Sequence, residues 1–166
     1  MRVLVIADTH MPKKAKEWPG QLYPEFNAAD YIIHAGDWQS PEVWEELKQY
    51  APVAGVYGNV DGEDIKALMS DRVEIVLEGW RIGIVHGHGE KGTTEKRAGE
   101  AFAPGQKDII IFGHSHIPYL RYAGKTLMFN PGSPTDKRKA AMFSYGLLDL
   151  SPGHVEARHI FFPKRG

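Results

Sequence analysis

The feature that most constrains this chain is a recurring string at the ends of its apolar runs. Five runs are each short enough to be a buried strand. One is directly followed by Asp and His, and the other four are followed by glycine together with Asp, Asn or His. The five strings are Asp8-Thr9-His10, Gly36-Asp37, Gly58-Asn59, His86-Gly87-His88 and Gly113-His114-Ser115-His116. Ligands of α/β sheets bind beyond the carboxyl ends of the strands, where glycine permits tight turns. We therefore expect five strand ends of one sheet layer to converge on one site.

Ten apolar runs bounded by Gly, Pro, Asn or Asp predict strands. They are Arg2–Ala7, Tyr31–Ala35, Val53–Tyr57, Val73–Leu77, Arg81–Val85, Ile109–Phe112, Tyr119–Tyr122, Thr126–Phe129, Tyr145–Asp149 and Val155–Phe161. Helical patterns follow the caps Ser40 and Thr93 or Thr94. The predicted helices are Pro41–Tyr50, Glu63–Met69 and Thr93–Phe102, with a weaker pattern within Leu22–Ala29.

Helices alternate with strands early in the chain, whereas strands follow one another late. This order predicts an α/β fold, a two-sheet mixed β-sandwich flanked by helices, with parallel strands early and antiparallel strands late. A length of 166 residues fits a single domain over residues 1–166.

Composition excludes several classes of protein. The chain has no cysteine, so disulfides and thiolate metal sites are excluded. It has 20 Lys+Arg against 21 Asp+Glu, a balance that argues against an extended nucleic-acid groove or binding to an anionic membrane. No apolar run approaches the roughly 18 residues of a membrane span, and we expect a cytoplasmic protein.

The strings deliver two carboxylates, one amide oxygen and four imidazoles as candidate metal ligands. These are Asp8, His10, Asp37, Asn59, His86, His114 and His116. Seven ligands are too many for one tetrahedral ion but suit two ions that share a bridging carboxylate. Oxygen and nitrogen without sulfur favour Mn²⁺, Fe, Zn²⁺, Co²⁺ or Ni²⁺ over Ca²⁺ and Mg²⁺.

We expect His34 to be a core histidine that orients the Gly36-Asp37 loop, and His154 and His159 to lie on a surface or a strand face.

Taken in order, these strings resemble the motifs of the calcineurin-like metallophosphoesterase superfamily. The compact length and the string Asn130-Pro131-Gly132-Ser133 resemble its small phosphodiesterase branch, which includes the YfcE-like proteins and a subunit of the eukaryotic retromer complex. The resemblance implies the two-sheet fold and two divalent ions, with Mn²⁺ as the first expectation. It also implies that Asp37 bridges one ion held with Asp8, His10 and His116 and a second held with Asn59, His86 and His114.

The chain departs from the superfamily pattern at two strings. Val60 stands where the superfamily commonly has a histidine credited with aiding the leaving group, and Gly36-Asp37 is followed by Trp38-Gln39-Ser40. The first departure is typical of the small branch and predicts poor hydrolysis of monoesters. The second touches no candidate ligand.

The function expected from these residues is hydrolysis of small phosphoesters, with Asp37, Asn59 and His88 as candidate catalytic residues. His88 is a candidate substrate group or a solvent-facing turn residue, and Arg138 is a candidate phosphate-binding residue or part of a solvated loop. A protein-binding scaffold of the same fold is the alternative, and a nuclease is a distant third interpretation. A homo-oligomer through exposed apolar groups such as Trp18, Phe161 and Phe162 is also open.

Overall fold

A computed structural model describes residues 1–163. Within them, the strands are β1 Arg2–Ile6, β2 Tyr31–His34, β3 Val53–Gly55, β4 Arg72–Leu77, β5 Trp80–Val85, β6 Ile109–Ile111, β7 Tyr119–Ala123, β8 Thr126–Asn130, β9 Phe143–Ser151 and β10 His154–Phe162. The helices are α1 Leu22–Ala28, α2 Pro41–Leu47, α3 Glu63–Lys66 and α4 Thr94–Glu100. None of these helices has the length and apolar character needed to cross a membrane.

Two five-stranded sheets pack face to face. The first, sheet A, has the order β10-β9-β1-β2-β3, and the second, sheet B, has the order β4-β5-β6-β8-β7. The apolar face of each sheet contributes to the layer between them, in which residues such as Val5, Ile33, Ile84 and Phe129 are fully buried. The predicted mixed two-sheet sandwich with flanking helices is confirmed.

The helices cover the outer face of each sheet, and α2 and α4 begin where the sequence predicts caps. Ser40 accepts a hydrogen bond from the backbone of Glu42 at the start of α2, with Pro41 in the first turn, and Thr93 accepts one from Lys96 at the start of α4. Both caps fix where the chain leaves a loop and begins a helix. All the predicted strands and helices are present, with ends that shift by a few residues.

The strand directions differ from the predicted order of parallel strands early and antiparallel strands late. The early pair β4–β5 is antiparallel, because Glu78 and Gly79 both adopt positive φ and close a tight hairpin, while the late strand β8 pairs parallel to β6. The five strings also come from both sheets, three from sheet A and two from sheet B, rather than from one layer.

Two of the three apolar groups suggested for an oligomer contact are buried. Trp18 and Phe162 are each 4% exposed, because both pack in the cluster under α1 and α2. Phe161 points the other way along the same strand and is 53% exposed. Only Phe161 of the three is available to a partner.

Trp38 anchors the loop that follows β2. Its ring is fully buried and stacks on the imidazole of His34 at 3.7 Å, and its indole nitrogen donates to the carbonyl of Val56 at 2.8 Å. His34 accepts a hydrogen bond from the backbone of Gly36 through Nδ1 and contacts the Thr9 hydroxyl through Nε2. His34 is thus the core histidine that the sequence predicts, and it fixes the chain on either side of Asp37.

We predict that Gly55→Ala lowers the free energy of unfolding by about 1–3 kcal/mol through overpacking. A Cβ at this position would lie 2.3 Å from Cζ2 of Trp38, whose rigid ring has no space into which it can move. Gly99→Ala on α4 is the matched control, because its Cβ would meet only Cε of Met128 at 3.8 Å and alanine favours helices. Urea unfolding measures both, and equal losses would contradict the packing argument.

Candidate metal centre

The five strings meet at one end of the sandwich, between the two sheets. Two buried groups of side chains there have ligand atoms that all lie within 4.8 Å of one another. One group is Asp8, His10 and His116, and the other is Asp8, Asp37 and His86. The convergence expected from the sequence therefore holds, with both sheets contributing.

Asp37 lies between the histidines of the two groups. Its Oδ2 is 3.6 Å from Nε2 of His10 and 3.2 Å from Nε2 of His86. Its Oδ1 accepts a hydrogen bond from the backbone of Val60 at 3.1 Å, which fixes the orientation of the carboxylate. Asp8 also reaches both sides at longer range, with Oδ1 3.7 Å from Nε2 of His116 and 3.8 Å from that of His86.

Asn59 and His114 extend the second group. The amide oxygen of Asn59 lies 3.1 Å from Nε2 of His86 and 3.2 Å from Nδ1 of His114. On the other side, Nε2 of His10 and Nε2 of His116 are 3.3 Å apart. All seven candidate ligands therefore belong to one connected cluster of oxygen and nitrogen atoms.

Two of the imidazoles are oriented by backbone carbonyls. Nδ1 of His86 donates to the carbonyl of Ala35 at 2.7 Å, and Nδ1 of His116 donates to that of Asp136. These bonds turn Nε2 of each ring toward the carboxylates. A hydrogen bond from the far ring nitrogen is the usual way in which proteins orient a metal-binding histidine.

The residues present fit a metal ion. Asp8 is fully buried, and neither of its carboxylate oxygens has a hydrogen-bond partner within the described residues. A buried charge without a partner is costly, whereas a cation shared with neighbouring imidazoles would satisfy it. Oxygen and nitrogen donors in this mixture suit first-row transition metals.

The charges of the metal-free cluster are strongly coupled. Burial raises the pKa of Asp8 to about 7. Burial opposes protonation of His86, but its hydrogen bond to Asp37 and the charges of Asp8 and Asp37 raise the pKa of His86 to about 9. Burial would also raise the pKa of Asp37, yet its hydrogen bond with His86 and the charge of that ring lower it to about 2. Burial lowers the pKa of His114 and of His116 to about 4, so both rings are neutral at pH 7.

Backbone strain is concentrated at this cluster. Of the eight non-glycine residues with positive φ in the described chain, five are candidate ligands. They are Asp8, His10, Asp37, His114 and His116, with φ between 45° and 71°. Each such conformation costs about 1–3 kcal/mol and persists only where the surrounding structure enforces it. The fold thus bends the chain to direct these side chains inward.

Asp61 holds two of the strings together, a role that the sequence reading missed. Its carboxylate accepts hydrogen bonds from the backbone of Asp37 at 3.0 Å, Gln39 at 2.8 Å and Gly58 at 2.8 Å. Asp61 is only 4% exposed. Its place two residues after Asn59 was the available signal, since a carboxylate so close to a candidate ligand is suited to bind neighbouring backbone donors.

The string Asn130-Pro131-Gly132-Ser133 and the residues after it support the centre from the other side. The amide of Asn130 donates to the carbonyl of Gly113 at 2.9 Å and to the Ser115 hydroxyl at 3.1 Å. The Ser133 hydroxyl donates to the carbonyl of Asp8 at 2.7 Å, and the Thr135 hydroxyl donates to that of Thr9 at 2.6 Å. This segment therefore braces the loops that carry the first and last candidate ligands.

His88 lies at the exposed side of the centre. Its ring centroid is 5.5 Å from that of His86 and 6.4 Å from that of His114. The glycine-rich loop that carries it is held by Arg97 on α4, which donates to the carbonyls of Gly87, Lys91 and Gly92. Nothing in the sequence singled out Arg97, because its partners are backbone atoms that leave no pattern of residue types.

Arg138 stands on the rim of the centre. Its Nε is 3.7 Å from Oδ2 of Asp136, and half of its side chain is exposed. Burial is the main cause that lowers the pKa of His116, and the positive charge of Arg138 lowers it further. The same charge opposes the rise that burial produces in the pKa of Asp8.

The comparisons with known proteins agree with this geometry. The model of the calcineurin-like phosphoesterase superfamily domain matches residues 1–153. A probable metallophosphoesterase of Methanothermobacter thermautotrophicus is 38% identical over 140 residues, which cover 83% of this chain and 80% of that protein. The phosphodiesterase YfcE of Escherichia coli K12 is 26% identical over 174 residues, covering 90% and 88%.

A solved structure matches the fold over almost its whole length. A single mutant of Vps29 from Entamoeba histolytica superimposes with a TM-score of 0.76 at 23% identity, covering 98% of this chain and 99% of that one. The matched family model, the related sequences and the shared fold lead to one conclusion: this chain belongs to the calcineurin-like phosphoesterase superfamily.

Proposed function

We propose that the protein is a phosphodiesterase that depends on two divalent metal ions and hydrolyses small phosphoesters. The observation that carries this proposal is the position of Asp37, whose Oδ2 lies 3.6 Å from a nitrogen of His10 and 3.2 Å from a nitrogen of His86. A carboxylate oxygen with nitrogen donors on both sides is suited to bridge two ions, as in two-metal phosphoesterases. The related Escherichia coli protein YfcE is a phosphodiesterase, which supports the choice of ester.

The proposed ligands divide into two sets that share Asp37. One ion would be held by Asp8, His10, Asp37 and His116, and the other by Asp37, Asn59, His86 and His114. The contact of His10 with His116 on one side, and those of Asn59 with His86 and His114 on the other, support this division. We propose Mn²⁺ as the metal, with Fe, Zn²⁺, Ni²⁺ or Co²⁺ as alternatives.

When bound, two such ions supply a nucleophile at neutral pH and stabilise the charge of the transferred phosphoryl group. The chain itself sets how much positive charge the substrate meets. Asp8 and Asp37 are the carboxylates of the centre, and burial lowers the pKa of His10, His114 and His116, so these rings are neutral ligands that do not change the net charge. Two carboxylates offset only half the charge of two divalent ions, and a phosphodiester anion is attracted to the remainder.

We propose Asp37, Asn59 and His88 as the catalytic residues and His88 and Arg138 as the substrate-binding residues. As proposed metal ligands, Asp37 and Asn59 would lie beside the ions that act on the substrate. His88 is exposed near His86 and His114, where it can reach an ester oxygen of a bound substrate. Arg138 offers a guanidinium on the rim, a group that binds phosphate oxygens in a bidentate manner.

The alternative is a protein-binding scaffold, which the likeness of the fold to Vps29 keeps open. The orphaned oxygens of Asp8 argue for the enzyme, because a surface that binds a protein does not require a buried carboxylate without a partner. All seven candidate positions also carry side chains able to bind a metal.

We predict that Asp37→Asn lowers Mn²⁺-dependent turnover of a bis-aryl phosphodiester by at least about a hundredfold, because both ions would lose a charged ligand. Asp8→Asn is the matched comparison and should lose less, since Asp8 is proposed to hold one ion. Metal analysis and turnover are measured on the same samples. Equal losses would contradict the bridging role of Asp37. Wild-type protein with neither bound metal nor turnover would favour the scaffold.

We predict that Mn²⁺ raises the melting temperature more at about pH 8.5 than at about pH 6. Without metal, the raised pKa values of Asp8, about 7, and His86, about 9, mean that the fold holds protons that an ion must displace. The proton of His86 contributes stability below its unfolded pKa, and this is lost as pH rises through about 9. Thermal unfolding with EDTA and with Mn²⁺ measures the difference. A gain that is the same at both pH values would contradict the competition.

We predict that Val60→His raises turnover of an alkyl phosphodiester more than that of an aryl one. Val60 is 46% exposed, and its backbone already contacts Asp37, so a histidine there could reach the leaving oxygen. General acid assistance is typically worth ~10²–10⁴-fold and matters most for poor leaving groups. Val60→Ala is the control and should leave the ratio unchanged. An equally steep dependence on leaving-group acidity in wild type and Val60→His would mean that another group, His88 first, already supplies the proton.

A further inference from the structure

Strand β10 is a long open edge of sheet A. Its nine residues pair with β9, and within residues 1–163 no hydrogen bond joins its backbone to any other strand. Such an edge presents a row of unpaired backbone donors and acceptors to any strand that approaches. Natural proteins usually cover, shorten or charge an edge of this length, and an uncovered edge is available to an occupant.

The flank that contains this edge is largely apolar. Strand β7, the edge of sheet B, lies beside β10, and a groove of about 210 Å³ between them is lined by Leu120, Tyr122, Leu127, Val155 and Ala157 together with one charged residue, Arg121. Leu120 and Tyr122 are 44% and 60% exposed, and Phe161 of β10 is 53% exposed. We call Leu120, Tyr122, Val155, Ala157 and Phe161 the β7/β10 flank.

Glu156 has an unfavourable position in the isolated chain. In the β9–β10 pairing it stands directly opposite Asp149, and like charges placed opposite each other repel. Arg158 is engaged with Asp149 at 2.8 Å, while Glu156 has only an exposed contact of 3.8 Å with His154. A cation supplied from outside the chain would relieve this repulsion.

We propose that the occupant of the β7/β10 flank is a second copy of this chain, whose β10 pairs antiparallel with this β10 about a twofold axis at Ala157. In this register Glu156 of each copy stands opposite Arg158 of the other, Val155 stands opposite His159, and Ala157 stands opposite itself. The charges of the strand are therefore self-complementary, which is the requirement of an isologous interface.

The same axis accounts for the apolar residues of the flank. A twofold axis perpendicular to the sheet keeps sheet B of each copy on the same side and brings the two β7 strands toward each other. Leu120 and Tyr122 of both copies then meet across the axis. Sheet A would thus continue from one copy into the other, and sheet B would add an apolar contact between the copies. A single added peptide strand would not provide this second contact.

Reversing the charge of Glu156 tests the proposal, because it should not destabilise the single chain but should weaken the dimer. Glu156→Lys places a cation opposite Asp149, so the isolated chain should unfold at the same or a higher temperature. It also places that cation opposite Arg158 of the second copy, so self-association should weaken at least about tenfold. Glu156→Gln is the neutral control and should have an intermediate effect. Sedimentation equilibrium of the full chain measures association, and this readout is independent of any phosphodiesterase activity.

Mixing two variants provides the complementary test. Arg158→Glu alone should also associate weakly, but an equimolar mixture of Arg158→Glu with Glu156→Lys should form a heterodimer, because each then meets the opposite charge. If Arg158→Glu does not fold, Glu156→Lys and its control decide the question. A wild-type chain that is monomeric at every concentration would overturn the proposal and leave the flank to another protein. Unchanged association of Glu156→Lys would overturn it as well.

Discussion

Two carboxylates buried between the sheets, Asp8 and Asp37, are the constraint on which the rest of the structure depends. Removing two like charges from water is costly unless cations and donors compensate for it. In the metal-free chain His86 compensates in part, since its pKa is raised to about 9 and its Nε2 lies 3.2 Å from Oδ2 of Asp37 and 3.8 Å from Oδ1 of Asp8. Within residues 1–163, the two carboxylate oxygens of Asp8 still have no hydrogen-bond partner.

The loops around the centre are arranged to hold these charges in place. Asp61 ties the backbone of the Gly36-Asp37 string to that of Gly58, and Ser133 ties the Asp8 string to the segment after β8. These hydrogen bonds help to hold the positive φ values of Asp8 and Asp37. Stability is thus given up locally so that the side chains converge before any ion binds.

The sequence is sufficient to predict the class of fold and the candidate ligands at the strand ends. Short apolar runs followed by Asp, His or Gly-Asn can be recognised because strand periodicity and turn chemistry leave a local pattern. The hairpin of β4 and β5 was missed because it depends on two consecutive positive φ values, at Glu78 and Gly79, and glutamate gives no sign of this. Arg97 was missed because its partners are carbonyls. Trp18 was misjudged because its burial depends on α1, whose pattern is weak.

The central claim is that Asp37 joins two ions, and anomalous diffraction from crystals grown with Mn²⁺ tests it most directly. We predict two anomalous peaks per chain, one beside His10 and His116 and one beside His86 and Asn59, with Oδ2 of Asp37 between them. A single peak, or two peaks that do not share Asp37, would contradict it.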